Sequence, residues 1–144
     1  MFTIAEERRT ALLVTSDYVF SYNYIVKLWK GVFDFERPHL SKTIREPATI
    51  HHIASRLSQM FEEGNDALPI LAYAIYGVIN LHPFGDCNHR TGWSYFSTLV
   101  KLLLGLDTSK IFKEGEAEKF ARSIDNMGLK DIEAYLTDKL GQTL

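Results

Sequence analysis

Two long apolar segments, residues 68–80 and 93–106, flank a short polar stretch, and this arrangement constrains the fold more than any other feature. Each segment has the length and the apolar pattern of a buried helix. The stretch between them, LHPFGDCNHRTG at residues 81–92, contains histidines, a carboxylate and an arginine. Because a polar loop between core helices does not help to fill the core, its side chains are the first candidates for a functional site.

The backbone of this loop suits an anion if the second helix begins within residues 88–91. The first N–H groups of a helix lack intrahelical partners, and the helix dipole adds partial positive charge there. Gly85 lets the chain turn sharply, and Asn88 tolerates a left-handed conformation that would expose successive N–H groups. The sequence therefore predicts a phosphate cradle between the two helices.

Three side chains of the loop supply complementary chemistry. Asp86 is a hard oxygen ligand suited to Mg²⁺, which usually binds one or two carboxylates plus the phosphates of a substrate. Arg90 can grip phosphate oxygens with two parallel hydrogen bonds. The neutral imidazole of His82 can take a proton from an attacking hydroxyl near neutral pH.

Residues 82–90, HPFGDCNHR, resemble the signature loop of the Fic/Doc family, whose pattern is H-x-F-x-[D/E]-[G/A]-N-[G/K]-R. Five fixed positions match: His82, Phe84, Asp86, Asn88 and Arg90. The chain length and the region 116–140 loosely resemble the Doc branch as well. The resemblance implies an all-α Fic/Doc-type helical bundle, a single domain over residues 1–144, with its signature loop at 82–92.

The resemblance also implies an activity: transfer of part of a nucleotide triphosphate, ATP or another, onto a side-chain hydroxyl of a target protein, with Mg²⁺ as cofactor. By position, His82 would be the general base, Asp86 the Mg²⁺ ligand and Phe84 a buried anchor of the loop. The implied nucleotide- and phosphate-binding residues are Gly85, Asp86, Cys87, Asn88, His89 and Arg90. Such chemistry needs mainly positioning and charge stabilisation, which this set offers.

Three departures from the pattern decide between branches of the family. Fic members that transfer AMP usually have glycine at the positions of Cys87 and His89, and a second arginine at that of Trp93. Doc members lack the second arginine, have lysine at the position of His89, and transfer the γ-phosphate. Phosphoryl transfer is therefore favoured. AMP transfer is one alternative, and a catalytically degenerate module that only binds nucleotide or protein is another.

Residues 33–47, with two prolines and mixed polarity, are predicted to form a loop or a short β-hairpin. Fic proteins resemble one another in having a hairpin flap that pairs with an extended target peptide, and the candidate segment here is Lys42, Thr43, Ile44 and Arg45. An ordinary surface loop is the equal alternative. Residues 58–62 match the family's inhibitory pattern [S/T]-x-x-x-E-[G/N] only in part, since Glu63 follows. Control by a separate antitoxin-like protein is therefore expected.

Other interpretations of the loop remain open at this point. His82 could simply end a helix, because the proline that follows disfavours α conformation in the preceding residue. Cys87 beside a histidine could be a nucleophile. His82, Asp86 and His89 could belong to a metal-dependent phosphohydrolase, although further carboxylate or histidine ligands are not evident.

Composition narrows the partners. A chain of 144 residues with 46% hydrophobic residues can form one domain with a real core. A net charge of −2 without a basic stripe argues against nucleic acid, and the apolar stretches are too short to span a membrane. Four charged residues, 6–9, follow soon after Met1 instead of the apolar run of a signal sequence, and the single cysteine suits a reducing compartment. A cytoplasmic protein is expected.

Most of the chain is predicted to be helical. A capping box over residues 3–6 opens a first helix, and Ser16 or Asp17 caps a second that ends before Gly31. Residues 49–63 place one apolar stripe on a helix that stops at Gly64. Two further helices, 116–127 and 130–140, are expected to be followed by Gly128 and Gly141 as C-terminal caps.

Overall fold

A computed structural model describes residues 2–37 and 42–143. Over these residues the chain is all-α, as predicted, and its extended backbone makes a single isolated β-bridge. The helices are α1 (Glu6–Val19), α2 (Tyr22–Glu36), α3 (Pro47–Glu62), α4 (Ala67–Asn80), α5 (Asn88–Leu104), α6 (Thr108–Ile111), α7 (Glu116–Ser123) and α8 (Leu129–Gly141). A short 3-10 helix, Ile124–Asn126, follows α7 directly.

Helix α4 lies at the centre of the core and packs against α3, α5 and α8. It is apolar on all sides, which is the pattern of a fully buried helix. Its approach to α5 depends on Gly92, because a Cβ added there would lie 2.5 Å from Cγ1 of Ile79. The close contact of these two helices holds both ends of the polar loop in place.

Helix α3 confirms the predicted apolar stripe. Its buried residues are Ile50, Ile53, Ala54, Leu57, Met60 and Phe61, the set that the helical period selects. The helix begins earlier than predicted, with Pro47 in its first turn, where the missing N–H of proline costs nothing. Gly64 follows with φ of +80°, so the predicted stop is also confirmed.

The predictions for the two N-terminal helices were wrong at their ends. Ala5, not Thr3, precedes α1, and no side chain caps that helix. Helix α2 is capped by Ser21, whose Oγ accepts from the N–H of Tyr24 at 3.1 Å. It then passes through Gly31 to Glu36, because burial of its apolar face continues as far as Phe33 and outweighs the glycine's cost of about 1 kcal/mol.

The C-terminal region corrects three further predictions, one of which is the cap at Gly141, since this glycine is the last residue of α8 and Gln142 takes the cap position. The expected helix over residues 116–127 ends at Ser123 and tightens into the 3-10 helix. Gly128 is not a C-terminal cap: it precedes α8, and its N–H donates to the Asp131 carboxylate at 3.0 Å. The short helix α6 was not predicted, because four residues are too few to show a period.

In the part of the chain that the structure describes, no helix combines the length and the apolar character needed to cross a bilayer.

Candidate active site

The polar loop leaves α4 after Asn80 and enters α5 at Asn88. Two of its residues that are not glycine adopt positive φ, His82 at 48° and Cys87 at 65°. Such values are uncommon outside glycine and mark a backbone held by its surroundings. The predicted start of the helix within residues 88–91 is confirmed. The predicted left-handed residue was wrong by one position, since Asn88 is already helical and Cys87 makes the turn.

The loop is supported on its buried side by three side chains, which we call the floor: Trp29, Phe84 and Asn88. The Phe84 side chain is 1% exposed and stacks on Trp29 with ring centroids 4.7 Å apart. The Asn88 amide accepts from the N–H of Phe84 at 3.1 Å and donates to its carbonyl at 3.0 Å. The indole N–H of Trp29 donates to the Asp86 carbonyl at 3.0 Å. The floor therefore fixes the loop by burial and by satisfied hydrogen bonds.

A cavity of about 770 Å³ lies against the loop. The end of α2, the loop, the start of α5, helix α7 and the 3-10 helix all contribute to its wall. The wall is mixed in charge, with arginines facing carboxylates and with Trp93 and two alanines as apolar surface. Its lining residues are Glu36, Arg37, Asp86, Cys87, His89, Arg90, Trp93, Ala117, Glu118, Ala121, Arg122 and Asp125.

Four charged side chains of the cavity, Glu36, Arg37, Asp86 and Arg90, form two ion pairs, and we call this set the rim. Nε of Arg37 lies 3.1 Å from Oδ2 of Asp86, and Nε of Arg90 lies 2.9 Å from Oε1 of Glu36. The guanidinium side chains are about half exposed. Such pairs contribute little to stability because water screens them, so each can exchange its partner for another anion.

A third arginine of the cavity, Arg122, projects from α7. Among residues 2–37 and 42–143, the ion pairs of the cavity engage Arg37 and Arg90, whereas none engages Arg122. Within the part of the chain that the structure describes, no carboxylate therefore forms an ion pair with the Arg122 guanidinium.

The two histidines of the loop converge on Asp125 of the 3-10 helix. Nε2 of His89 lies 2.7 Å from Oδ2 of Asp125, within hydrogen-bonding distance, and Nε2 of His82 lies 3.3 Å from Oδ1 of the same carboxylate. The ring centroids are 6.3 Å apart and nearly perpendicular. His89 lines the cavity, while His82 lies beside it.

Cys87 is buried, and its Sγ lies 3.4 Å from Oε2 of Glu36. Burial first, and then the hydrogen bond to Glu36, raise the pKa of the Cys87 thiol to about 11. The thiolate is the reactive form of cysteine. A thiol that keeps its proton at neutral pH is a poor nucleophile, so the geometry opposes the nucleophile interpretation.

Asp86 fits Mg²⁺ only as a single carboxylate. Its Oδ1 accepts from the N–H of Cys87 at 2.7 Å and its Oδ2 faces Arg37. The residues that the structure describes include no group of three or more histidine, cysteine or acidic side chains placed to hold a metal. Magnesium often binds through one carboxylate with phosphates and water as the remaining ligands, which is compatible with this arrangement if Arg37 moves from Oδ2.

The residues proposed for a metal-dependent phosphohydrolase are not brought together as that interpretation requires. His82 and His89 face Asp125, whereas Asp86 faces Arg37. The Asp86 carboxylate is therefore paired with Arg37 and does not face the two histidines.

The candidate flap lies along the loop. The N–H of Gly85 donates to the carbonyl of Thr43 at 3.2 Å, and Ile44 forms an antiparallel bridge with Phe84. Lys42 pairs with Asp34 of α2, and Arg45 is exposed. Part of the predicted hairpin, residues 38–41, lies outside the described residues. The hydrogen bonds place one edge of residues 42–45 against the signature loop, and their role towards a target stays a prediction.

Sequence reasoning missed five charged residues of the cavity, which are Glu36, Arg37, Glu118, Arg122 and Asp125. The first two fall in the segment predicted as loop, and the other three lie in α7 and the 3-10 helix, whose polar face carries no recognisable motif. Only the tertiary structure brings them to the loop. The residues that partly match the inhibitory pattern, Ser58 and Glu62, do not line the cavity; the carboxylate that reaches Arg90 is Glu36.

Comparison of the chain with protein-family models, with curated proteins and with solved structures found no match. The residues of the loop and the geometry of the cavity are therefore the observations that bear on function.

Proposed function

We propose that this protein is a Fic/Doc-type transferase that uses Mg²⁺ and ATP, or another nucleotide triphosphate, to modify a side-chain hydroxyl of a protein. Transfer of the γ-phosphate is favoured over transfer of AMP. The observation that carries the proposal is the convergence of Asp86 and Arg90, two of the motif positions, on one cavity that also contains Arg122. Oxygen ligands beside guanidinium groups are what a metal-bound polyphosphate requires.

The cavity has the size and the wall for a nucleotide. Its volume of about 770 Å³ lies within the range of small-molecule sites. Trp93 is partly exposed and offers an aromatic face for a base, with the α7 alanines beside it. Arg90 would exchange Glu36 for a phosphate oxygen, and Arg122 would contact a phosphate without breaking an ion pair of the described residues.

In the proposed reaction the oxygen of the target hydroxyl forms a bond to the γ-phosphorus, and the bond from that phosphorus to the bridging oxygen of ADP breaks. The hydroxyl proton goes to His82, and ADP leaves with the electron pair of the broken bond. Asp86 would hold Mg²⁺, which offsets the charge of the phosphates when bound. The floor fixes the loop backbone at Phe84 and Asp86, so that the backbone there needs little reorganisation.

A second candidate, binding of nucleotide without transfer, is favoured by one observation. His82 is not among the residues of the cavity wall, and its Nε2 faces Asp125, which is part of that wall. In that case the same pocket would bind ATP, and no target would be labelled.

The test is label transfer from ATP carrying ³²P at the γ- or the α-phosphate, with Mg²⁺ and a cell lysate as the source of targets. The wild type is compared with His82→Ala and with His52→Ala, which removes an exposed histidine of α3. The lysate alone gives the background of its own kinases. We expect new γ-labelled bands with the wild type and with His52→Ala, and their loss with His82→Ala.

Each other result has a defined meaning. Bands that carry only the α-label would replace phosphoryl transfer by AMP transfer. No band that depends on His82, with several nucleotides tried, would overturn the transferase and leave the binding module. Stoichiometric zinc or nickel in the purified protein would contradict both and favour a metallohydrolase.

A further inference from the structure

We infer that Asp125 positions the imidazoles of His82 and His89 and fixes which ring nitrogen of each carries the proton. This inference rests on the proposed function for its catalytic meaning, but the arrangement of the three side chains can be tested without any activity. Asp125 lies outside the signature loop. It follows His89 by 36 residues in the sequence, so the motif does not indicate it.

The geometry assigns one carboxylate oxygen to each ring. Oδ2 of Asp125 lies 2.7 Å from Nε2 of His89, and Oδ1 lies 3.3 Å from Nε2 of His82. An ionised carboxylate only accepts hydrogen bonds, so an imidazole nitrogen that faces it is stabilised in its protonated form. The hydrogen bond holds the neutral His89 ring as the Nε2–H tautomer, and the charge of the same carboxylate favours that tautomer in His82, so that the Nδ1 atom of each ring becomes the acceptor.

As a consequence, the two ring nitrogens of His82 have different roles. Nε2–H faces Asp125, and Nδ1 is the atom that takes the proton of the target hydroxyl. A carboxylate in this place also stabilises the imidazolium formed when the proton arrives. His89 is held against the opposite oxygen of the same carboxylate, which keeps its ring at the cavity wall.

The placement of Asp125 is itself well supported by the fold. The 3-10 helix that carries it is tied to the end of α4, because the Asn80 amide donates to the carbonyls of Ile124 at 2.9 Å and Met127 at 3.2 Å. Ile124 is fully buried in the core. The carboxylate thus stands at a fixed position next to the C-terminal end of the helix from which His82 emerges, as a positioning residue must.

The experiment compares the wild type with Asp125→Asn and with Asp138→Asn, which changes an exposed carboxylate of α8. Asparagine keeps the volume but replaces one of the two carboxylate oxygens by an NH₂ donor, so one of the two rings then faces a donor instead of an acceptor. Ring ¹⁵N chemical shifts of His82 and His89, assigned with His→Gln variants, report the tautomer of each ring directly. Unfolding midpoints confirm that the variants are folded.

We expect the Nε2–H tautomer for both rings in the wild type and in Asp138→Asn. In Asp125→Asn, at least one ring should shift to a mixture of tautomers. Where label transfer occurs, turnover in Asp125→Asn should fall about tenfold or more while KM for ATP stays within about twofold, since both oxygens of this carboxylate face the two histidines.

Unchanged ¹⁵N shifts in folded Asp125→Asn would overturn the inference even if the enzyme is active. Conversely, shifted tautomers with no label transfer in the wild type would support the positioning role and refute only the transferase. A purified protein that binds zinc tightly through these residues would also overturn it, because the three side chains would then be metal ligands.

Discussion

Beneath the loop, Phe84 is 1% exposed and stacks on Trp29, whereas above it Arg37 and Arg90 are about half exposed and each is paired with a single carboxylate. The floor gains free energy from burial, which is lost only if the fold changes. The rim gains little from its ion pairs, because solvent screens them. This loop therefore combines a fixed backbone with replaceable charge partners, which suits a site where an anion must enter.

The sharpest test of the floor is Phe84→Ala. Loss of the buried ring should lower the free energy of unfolding by about 3–5 kcal/mol, because transfer and cavity costs add. Urea titration measures this, with Phe35→Ala as the matched control, since Phe35 is 82% exposed. The control should change stability by less than about 0.5 kcal/mol. Similar losses in both variants would mean that Phe84 does not anchor the loop.

Cys87 is buried like the floor, but its Sγ contacts Glu36 of the rim. The reactivity of its thiol shows whether it is protected like the floor or accessible like the rim. Its pKa of about 11, against a reference of 9.0, is a difference of two units, so at pH 8 its thiolate fraction is about a hundredfold lower than that of a free cysteine. The chain has one cysteine, so iodoacetamide labelling reports this residue alone. We expect labelling at least about a hundredfold slower in the folded than in the urea-unfolded protein. Equal labelling rates in the folded and the unfolded protein would mean that the Cys87 thiol is as accessible as the rim side chains.

The same thiol gives a pH dependence of stability. Because its folded pKa is raised, its contribution is fully present below about pH 9 and is lost as the pH rises towards about 11. Stability of the wild type should therefore fall more steeply over that window than that of Cys87→Ala. Unfolding curves at pH 8, 9 and 10 measure the difference, and parallel curves would contradict the raised pKa.

A smaller effect is expected at Asn88, whose amide makes two hydrogen bonds to the backbone of Phe84. Asn88→Ala should cost about 2 kcal/mol, because buried backbone groups lose their partners. Asn23→Ala is the control, since Asn23 is exposed on α2. If both substitutions are neutral, water replaces the amide and the floor is less rigid than the structure indicates.

The smallest effect concerns the rim. Glu36→Gln removes the charge that Arg90 faces, so ATP should bind about fivefold more tightly, in keeping with about 1 kcal/mol for an exposed pair. The unfolding midpoint should hardly move. Calorimetric titration with Mg²⁺ and ATP measures the affinity, with Glu118→Gln as a control from the same cavity. Weaker binding in Glu36→Gln would show that the pair organises the site rather than competes with ATP.

The sequence was sufficient where one period or one local motif decides the structure. The stripe of α3, the buried helix α4 and the start of α5 all followed from spacing. Spacing failed where burial overrode a local signal, as in α2, which passes through Gly31. It failed also at the turn into α5, where Cys87 is left-handed although asparagine adopts that conformation more readily, because Asn88 is already part of the helix.

The site could be predicted only in its local half. The positions of the loop are contiguous, so the motif names them, but Glu36, Arg37 and Asp125 reach it from other helices. Which carboxylate faces which cation depends on helix packing, and no pattern along the chain encodes that. The partners of Arg90 and His82 therefore had to be read from the tertiary structure.

Calorimetric titration of the wild type, Arg90→Ala and Arg122→Ala with ATP in the presence of Mg²⁺ tests whether the cavity binds a nucleotide through its arginines. Arg56→Ala, on α3 and away from the cavity wall, is the control. We predict saturable binding to the wild type and to the control, and affinity about tenfold weaker in each cavity variant, since a charge-assisted hydrogen bond is lost. Equal affinity in all four proteins, or no binding at millimolar ATP, would contradict the account.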